Sequence, residues 1–288
     1  MLTVKNILFP VDFSERCTAA APFVKDFAQI FDANVTLISV VAPLWQMGVA
    51  DPGSTVTINM DELRQDLEAR LNKALTTELS DIPVSRIARI GEPGEVITEY
   101  AHSEGVDLIM MPTHGYGPFR SLLLGSVTSK VLHDAQCPVW TAAHVEEPEV
   151  EKHRPVKKII CAFEGTEKSL PVVEWANTLA KTVGATLRIV HAVTGVEAWP
   201  EAALNRNLEG ELASDARQKI ERMLAPTQID APLCIEAGDP PVVLGAEVER
   251  HNADLVVIGR GLLHASLGRL RTQSYGIIRH SSCPVISV

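Results

Sequence analysis

The chain repeats itself, and that repetition constrains its fold more than any single motif. Val4 to Val41 aligns without a gap on Val156 to Val193. Val4-Lys5-Asn6-Ile7-Leu8 matches Val156-Lys157-Lys158-Ile159-Ile160, and Glu15 matches Glu167. Further on, Gly91-Glu92-Pro93 matches Gly238-Asp239-Pro240, and Val106-Asp107-Leu108-Ile109 matches Ala253-Asp254-Leu255-Val256. Identity is low, but apolar and turn positions coincide from end to end, which is the signature of a duplicated structural unit. With 288 residues there is room for two ordinary domains. They are expected over 1–144 and 156–288, joined by a charged linker that includes Glu146-Glu147-Pro148-Glu149.

Within each copy, short apolar runs alternate with helical patterns. The first copy has runs at Ile7 to Val11, Val35 to Val41, Val84 to Ile90, Leu108 to Met111 and Pro138 to Ala142. Amphipathic stretches lie between them near 15–31, 61–79, 94–104 and 126–134. Continuous Val/Ile/Leu runs indicate strands covered on both faces, and strand–helix alternation predicts a parallel sheet with right-handed crossovers. The second copy predicts strands near 158–163, 187–193, 232–236, 255–258 and 284–288. The fold class is therefore α/β, with two tandem doubly wound five-stranded domains. Two homologous domains in one chain also predict an internal pseudo-two-fold pairing through the apolar last strands, with a homodimer of whole chains as a further option.

Charge and cysteine usage narrow the function. A formal net charge of −10 argues against sequence-independent nucleic-acid binding, which needs clustered Lys and Arg. Five cysteines without a CxxC pair point to reduced thiols rather than a disulfide framework. Met1-Leu2-Thr3-Val4 runs straight into an expected strand, so neither a secretory leader nor a membrane span is expected, and a cytoplasmic location follows.

Ligands of open α/β sheets bind beyond the carboxyl ends of the strands, where strand order reverses. Two loops of the first copy carry suitable residues there. Pro10-Val11-Asp12-Phe13-Ser14 follows the first strand; Asp12 either accepts a hydrogen bond from a base amine or ribose hydroxyl, or else it or Ser14 caps the next helix. Met111-Pro112-Thr113-His114-Gly115 follows the fourth strand, and Gly125-Ser126-Val127-Thr128 opens a helix. Two glycines, two hydroxyls and a helix N-terminus favour an anionic ligand such as a phosphate chain. An ordinary surface loop before a capped helix is the alternative.

These residues resemble the nucleotide signature of the universal stress protein family: a glycine, two residues, a glycine, nine residues, then glycine with serine or threonine. Pro10-Val11-Asp12-Phe13-Ser14 resembles that family's first strand ending, and the likeness covers the whole chain as two tandem domains. The resemblance implies a strand order of 3-2-1-4-5 and a bound ATP or AMP, with Mg2+ accompanying the nucleotide. It implies that Asp12 and Val40, next to Pro10 and Val11, hold the adenosine end. Met111 and Pro112 line the ribose, and Gly115, Gly125, Ser126, Val127 and Thr128 take the phosphates. Pro112 departs from the signature by replacing its first glycine, which removes an N–H donor. His114 and Arg120 are either further phosphate contacts or surface side chains.

The second copy departs further. Glu164 stands at the position of Asp12, Arg271 at that of Gly125, and Gly259-Arg260-Gly261 brings the glycine pair one residue closer. Either arginine replaces the ligand's contacts and the site is structural, or the site binds a different anion through guanidinium groups; the structural reading is favoured. Enzyme motifs are missing: no GxxxxGK[ST], SGGxDS, HxGH or HExxH occurs. The favoured function is a nucleotide-binding regulatory or stress-response module acting with a protein partner. The alternatives are a slow ATP hydrolase with His114 as base, and a nucleotide-independent scaffold.

Overall fold

The computed structural model describes residues 2–42, 59–113, 124–143, 155–194, 206–260 and 269–288, with only the backbone course given for 206–210 and 269–272. The chain divides into two compact units, Thr3–His153 and Arg154–Val288.

The first unit alternates β1 (Asn6–Pro10), α1 (Glu15–Phe31), β2 (Asn34–Val41), α2 (Met60–Lys73), β3 (Val84–Ile90), α3 (Pro93–Ser103), β4 (Leu108–Pro112), α4 (Ser126–Asp134) and β5 (Val139–Ala142). All pairings are parallel and the strand order is β3-β2-β1-β4-β5, as the resemblance implies. β4 and β5 are buried at every residue, which is why their runs read as unbroken apolar sequence. Trp140 on β5 is fully buried and stacks at a tilt on Phe23 of α1, ring centroids 5.3 Å apart. The helix α1 buries Cys17, Ala20, Ala21, Val24, Phe27, Ala28 and Phe31, a single apolar stripe at helical spacing.

The second helix starts where expected, at Met60, but ends earlier. Asn59 caps it, its side-chain oxygen accepting from the N–H groups of Asp61 and Glu62, and it stops at Lys73 rather than near 79. Arg86 on β3 explains the stop: its guanidinium donates to the carbonyls of Leu71 (3.1 Å) and Ala74 (3.2 Å). Both belong to the last turn, whose carbonyls lack the regular donor four residues on. Leu75 turns left-handed at φ 53°, yet Leu75 and Leu79 remain buried, so the apolar spacing persists in a turn.

The second unit runs β6 (Lys158–Ala162), α5 (Leu170–Val183), β7 (Thr186–Val193), α6 (Arg206–Leu224), β8 (Leu233–Ala237), α7 (Pro240–His251), β9 (Leu255–Ile258), α8 (Arg269–His280) and β10 (Val285–Ser287). Its strand order is β8-β7-β6-β9-β10, again all parallel. The same small devices recur in both units. Pro93 and Pro240 sit at the first position of α3 and α7, where a missing N–H costs nothing. A carboxylate oxygen of Asp107 accepts from the backbone N–H groups of Lys5 (2.7 Å) and Asn6 (2.9 Å). Asp254 does the same for Lys157 and Lys158, both at 2.9 Å.

These carboxylates clamp the start of each first strand to its fourth. Asp107→Ala is expected to destabilise the first unit by about 1–2 kcal/mol, as befits partly solvated charge-assisted bonds. It should also speed amide exchange at Lys5 and Asn6 while leaving Leu8 and Phe9 protected. Unchanged exchange at those two amides would show that the clamp contributes nothing.

Candidate functional site

The crevice of each sheet opens where β1 and β4, or β6 and β9, lie side by side and their connections leave in opposite directions. In the first unit, the Val11 N–H donates to the Ile38 carbonyl at 2.8 Å, and the Ser39 hydroxyl donates to the Val11 carbonyl at 2.8 Å. The chain thus continues strand-like one residue beyond Pro10, then turns at Phe13, whose φ is 62°. Asp12 lies half-buried at that turn. Its Oδ1 accepts from the Ser14 N–H (3.0 Å), the Ser14 hydroxyl (2.6 Å) and the Cys17 thiol (3.0 Å).

Asp12 therefore bridges the turn to the first turn of α1, although Ser14 at the N-cap position makes no side-chain cap hydrogen bond. Cys17 was not anticipated as part of this corner. Its thiol is pushed up to about 12, first by burial and then by the Asp12 charge, so it is a protonated donor rather than a nucleophile. Its place one turn into an amphipathic helix was the only signal. Phe13 projects under the guanidinium of Arg70, whose central carbon is 4.2 Å from the ring centroid. Val40, on β2 next to this corner, is half-buried and pairs with Arg89 of β3.

On the other wall, Met111 is buried and Pro112 ends β4 opposite Ala142. The Thr113 N–H and hydroxyl both lie 3.2 Å from the Ala142 carbonyl and donate to it. The Thr113 carbonyl in turn accepts from the Gly125 N–H at 3.0 Å, which closes the neck of the intervening loop. His114, Gly115 and Arg120 lie outside the described residues. Gly125 precedes α4 with φ −56° and ψ 143°, angles open to any residue. Its small size, rather than dihedral freedom, is what an added side chain would disturb.

Ser126 opens α4 and is exposed, and Val127 is half-buried. Gly125 at the N-cap offers no side-chain cap, and a helix start leaves its first-turn N–H groups without intrahelical partners. Thr128 is different: it is buried, and its hydroxyl donates to the Pro112 carbonyl at 3.2 Å. That bond ties α4 to the end of β4. Pro10, Val11 and Asp12 thus lie at the carboxyl end of β1, Met111 and Pro112 at that of the neighbouring β4, and Gly125, Ser126, Val127 and Thr128 at the start of α4.

In the second unit the corresponding corner is rebuilt with other residues. The Phe163 N–H donates to the Val190 carbonyl at 2.8 Å, as Val11 does to Ile38. His191 takes the place of Ser39, its Nδ1 lying 2.8 Å from the Phe163 carbonyl. A carbonyl only accepts, so Nδ1 carries the proton. Burial and the nearby Lys219 charge lower the His191 pKa, although the Phe163 bond opposes them, and the ring is neutral. Gly165, at φ 73°, is required here, because a methyl group on it would lie 2.8 Å from His191 Cε1.

A cleft of about 780 Å³ occupies this crevice, lined by Glu164, Thr166, Ser169, Val172, Lys219 and Gly259 among others. Glu164 faces Gly259: a methyl group on that glycine would lie 3.6 Å from Glu164 Oε1. Burial raises the Glu164 pKa above the ordinary glutamate value. The Arg260 N–H donates to the Val288 carbonyl at 2.8 Å, matching Thr113 on Ala142, so the one-residue shortening falls after Arg260. Arg260 is buried rather than part of a surface patch. Arg271 falls inside the first turn of α8, whereas its counterpart Gly125 stands just outside α4. The side chains of Arg269 and Arg271 lie outside the described residues.

Two tandem, doubly wound, five-stranded parallel sheets, each with its crevice between the first and fourth strands, define a class of small α/β domain that receives ligands at a switch point. The model of the universal stress protein family matches residues 3–142 and 155–288, and the chain belongs to that family. The universal stress protein MJ0577 of Methanocaldococcus jannaschii is 35% identical over 149 residues, 47% of this chain and 92% of that protein. A second protein of that organism, MJ0531, is 32% identical over 148 residues, 51% of this chain and 85% of its own length. A universal stress protein from Archaeoglobus fulgidus shares the fold over 99% of this chain and 96% of that one, with a TM-score of 0.69 and 21% identity. Among the described residues, no helix is long and apolar enough to cross a membrane.

The two hydroxyls that open α4 should separate cleanly. Thr128→Val strips the Pro112 carbonyl of a buried donor and is expected to cost about 1–2 kcal/mol, whereas Ser126→Ala, at an exposed site, should leave the urea midpoint unchanged. Equal effects would contradict the assignment. For Glu164, a pKa raised on folding means that the protonated form favours the native state. That contribution is complete below the ordinary glutamate value and vanishes as pH climbs through the raised one. Glu164→Gln should therefore match wild type in urea midpoint near pH about 4 and exceed it near pH about 7. A constant offset at both pH values would refute a raised pKa.

Proposed function

We propose that the first domain binds one adenine nucleotide, ATP or AMP, and that this ligand sets the regulatory state of the protein in a stress response. The observation that supports this reading is the start of α4, Gly125-Ser126-Val127, capped by a glycine and held to the end of β4 by the Gly125–Thr113 and Thr128–Pro112 bonds. N–H groups at such a terminus recognise phosphate oxygens without any cationic side chain. In this reading Pro10, Val11, Asp12 and Val40 hold the adenosine end, and Met111 and Pro112 line the ribose. Gly115, Gly125, Ser126 and Val127 meet the phosphates. Thr128 holds the phosphate-binding turn in place through the Pro112 carbonyl.

The chain's own groups fit a phosphate better than they fit a metal. Mg2+ would therefore arrive on the phosphates of ATP, with Ser126 the nearest hydroxyl of the protein. The second domain, with Arg271 drawn into the first turn of α8, is read as the copy without nucleotide. A protein partner reading the nucleotide state completes the proposal.

Denaturing freshly purified protein and identifying released nucleotide by mass spectrometry tests the stoichiometry. One ATP or AMP per chain is expected; two would sink the single-site reading, and none, with no binding on titration, would favour a scaffold. Because Gly125 has ordinary backbone angles, Gly125→Arg should fold normally yet weaken nucleotide binding by at least about tenfold, or about 1.4 kcal/mol. Unchanged affinity would place the phosphates elsewhere.

A further inference from the structure

The edge strand β8 and the helix α7 bring together four side chains that the nucleotide reading does not use. Cys234 and Glu236 stand two residues apart on one face of β8, and Glu247 and His251 stand one turn apart on α7. The Cys234 thiol and one carboxylate oxygen each from Glu236 and Glu247 lie within 4.8 Å of one another. His251 Nε2 is 3.3 Å from Glu247 Oε2.

Glu247 gives this cluster its meaning. Its side chain is fully buried. Oε1 is paired with the Arg250 guanidinium, which also holds Glu236 Oε1 at 2.8 Å. Oε2 has no hydrogen-bond partner among the described residues, although His251 Nε2 lies 3.3 Å away. A buried carboxylate oxygen without a hydrogen-bond partner is costly, and it belongs to the residue that joins His251 to the cluster. His251 Nε2 stands 3.3 Å from that same oxygen, so a cation held by Glu247 lies within reach of the imidazole.

We propose that Cys234, Glu236, Glu247 and His251 form a binding site for a zinc-type transition-metal ion. One sulfur, one imidazole nitrogen and two carboxylates are a four-ligand set of borderline softness, unsuited to Mg2+ or Ca2+. Nitrogen and oxygen ligands at about 2.0–2.1 Å in a tetrahedron are about 3.3 Å apart, and a sulfur–oxygen pair is about 3.5 Å apart. The His251–Glu247 separation already fits. Cys234 Sγ to Glu236 Oε1, at 4.0 Å, closes by about half an ångström.

Arg250 is half-exposed and occupies the space between the two glutamates. In this proposal its side chain swings outward from between them as the metal enters, while its charge still balances the site. One thiolate, two carboxylates and a dication sum to −1, which Arg250 neutralises. Burial and the two carboxylates push the Cys234 thiol up to about 11, so metal binding releases its proton to solvent as the sulfur–metal bond forms. No electron transfer is involved. The fold itself does not demand these residues, for the equivalent positions of the first copy are Ile87, Arg89, Tyr100 and Glu104.

The test uses the full chain stripped of metal by a chelator and titrated with Co2+, then with Zn2+ in competition. The expected result is one Co2+ per chain, with a thiolate-to-cobalt charge-transfer band and tetrahedral visible bands that Zn2+ abolishes. Cys234→Ser should remove the charge-transfer band, and Glu247→Gln should weaken binding at least about tenfold. As a readout independent of variant folding, Zn2+ but not Mg2+ should shield Cys234 in the wild-type protein from alkylation, located by peptide mass spectrometry. Absence of the band, its persistence in Cys234→Ser, or equal alkylation with and without Zn2+ would overturn the site and leave an ion-pair cluster alone.

Discussion

Everything functional in each domain depends on how its first strand is held against its fourth. Only two residue pairs define the β1–β4 register, Ile7 with Leu108 and Leu8 with Ile109, and the β6–β9 register is nearly as short. A short parallel pairing would slip easily if only apolar side chains specified it, since Val, Ile and Leu fill neighbouring positions alike. Asp107 and Asp254 remove that freedom from the amino end. Each aspartate also donates its own N–H to the first strand, at 2.9 Å to Asn6 and Lys158 respectively. With the amino ends clamped, the carboxyl ends separate at a defined point, and Asp12 and Pro112 are delivered to opposite walls of one crevice.

The two copies then use this shared frame for different ends. In the first, bonds between Gly125 and Thr113 and between Thr128 and Pro112 pull the start of α4 onto the end of β4. The helix N-terminus is thereby fixed beside the end of β4, and its dipole acts over the first turn only. In the second, α8 begins earlier relative to the aligned sequence, so the same alignment position is helical rather than flanking. The wall opposite carries Glu164, a carboxyl that burial disfavours in its charged form. Since the first copy also carries a carboxyl at this position, Asp12, the larger difference between the copies lies at the start of the helix.

How much of this was legible depends on whether a residue's role follows from pattern or from contact. Strand and helix order followed from apolar runs that double burial makes continuous, and α1 and α4 were delimited correctly because Ser14 and Gly125 mark their starts. The end of α2 was not, because Leu75 and Leu79 keep helical spacing while Arg86, remote in sequence, takes the helix-end carbonyls. Thr128 looked like a phosphate donor because hydroxyls after a glycine commonly are. Its bond to Pro112 is a tertiary fact that no spacing predicts. The role of Cys17 under Asp12 was hidden in the same way, since a cysteine on an apolar helix face ordinarily only packs.

Cys234, Glu236, Glu247 and His251 were illegible for a stronger reason. They lie outside every nucleotide motif, and each alone is an ordinary residue of an edge strand or an outer helix. Their meaning appears only by comparing copies after the sheet is built. Where one copy places an isoleucine, an arginine, a tyrosine and a glutamate, the other places a thiol, two carboxylates and an imidazole on the same frame. Duplication makes such substitution cheap in fold terms, because β8 is an edge whose outer contacts no neighbouring strand requires. It does not make the burial of Glu247 cheap. A fully buried carboxylate with one oxygen unsatisfied is tolerated where a cation completes it, and Arg250 reaches only the other oxygen.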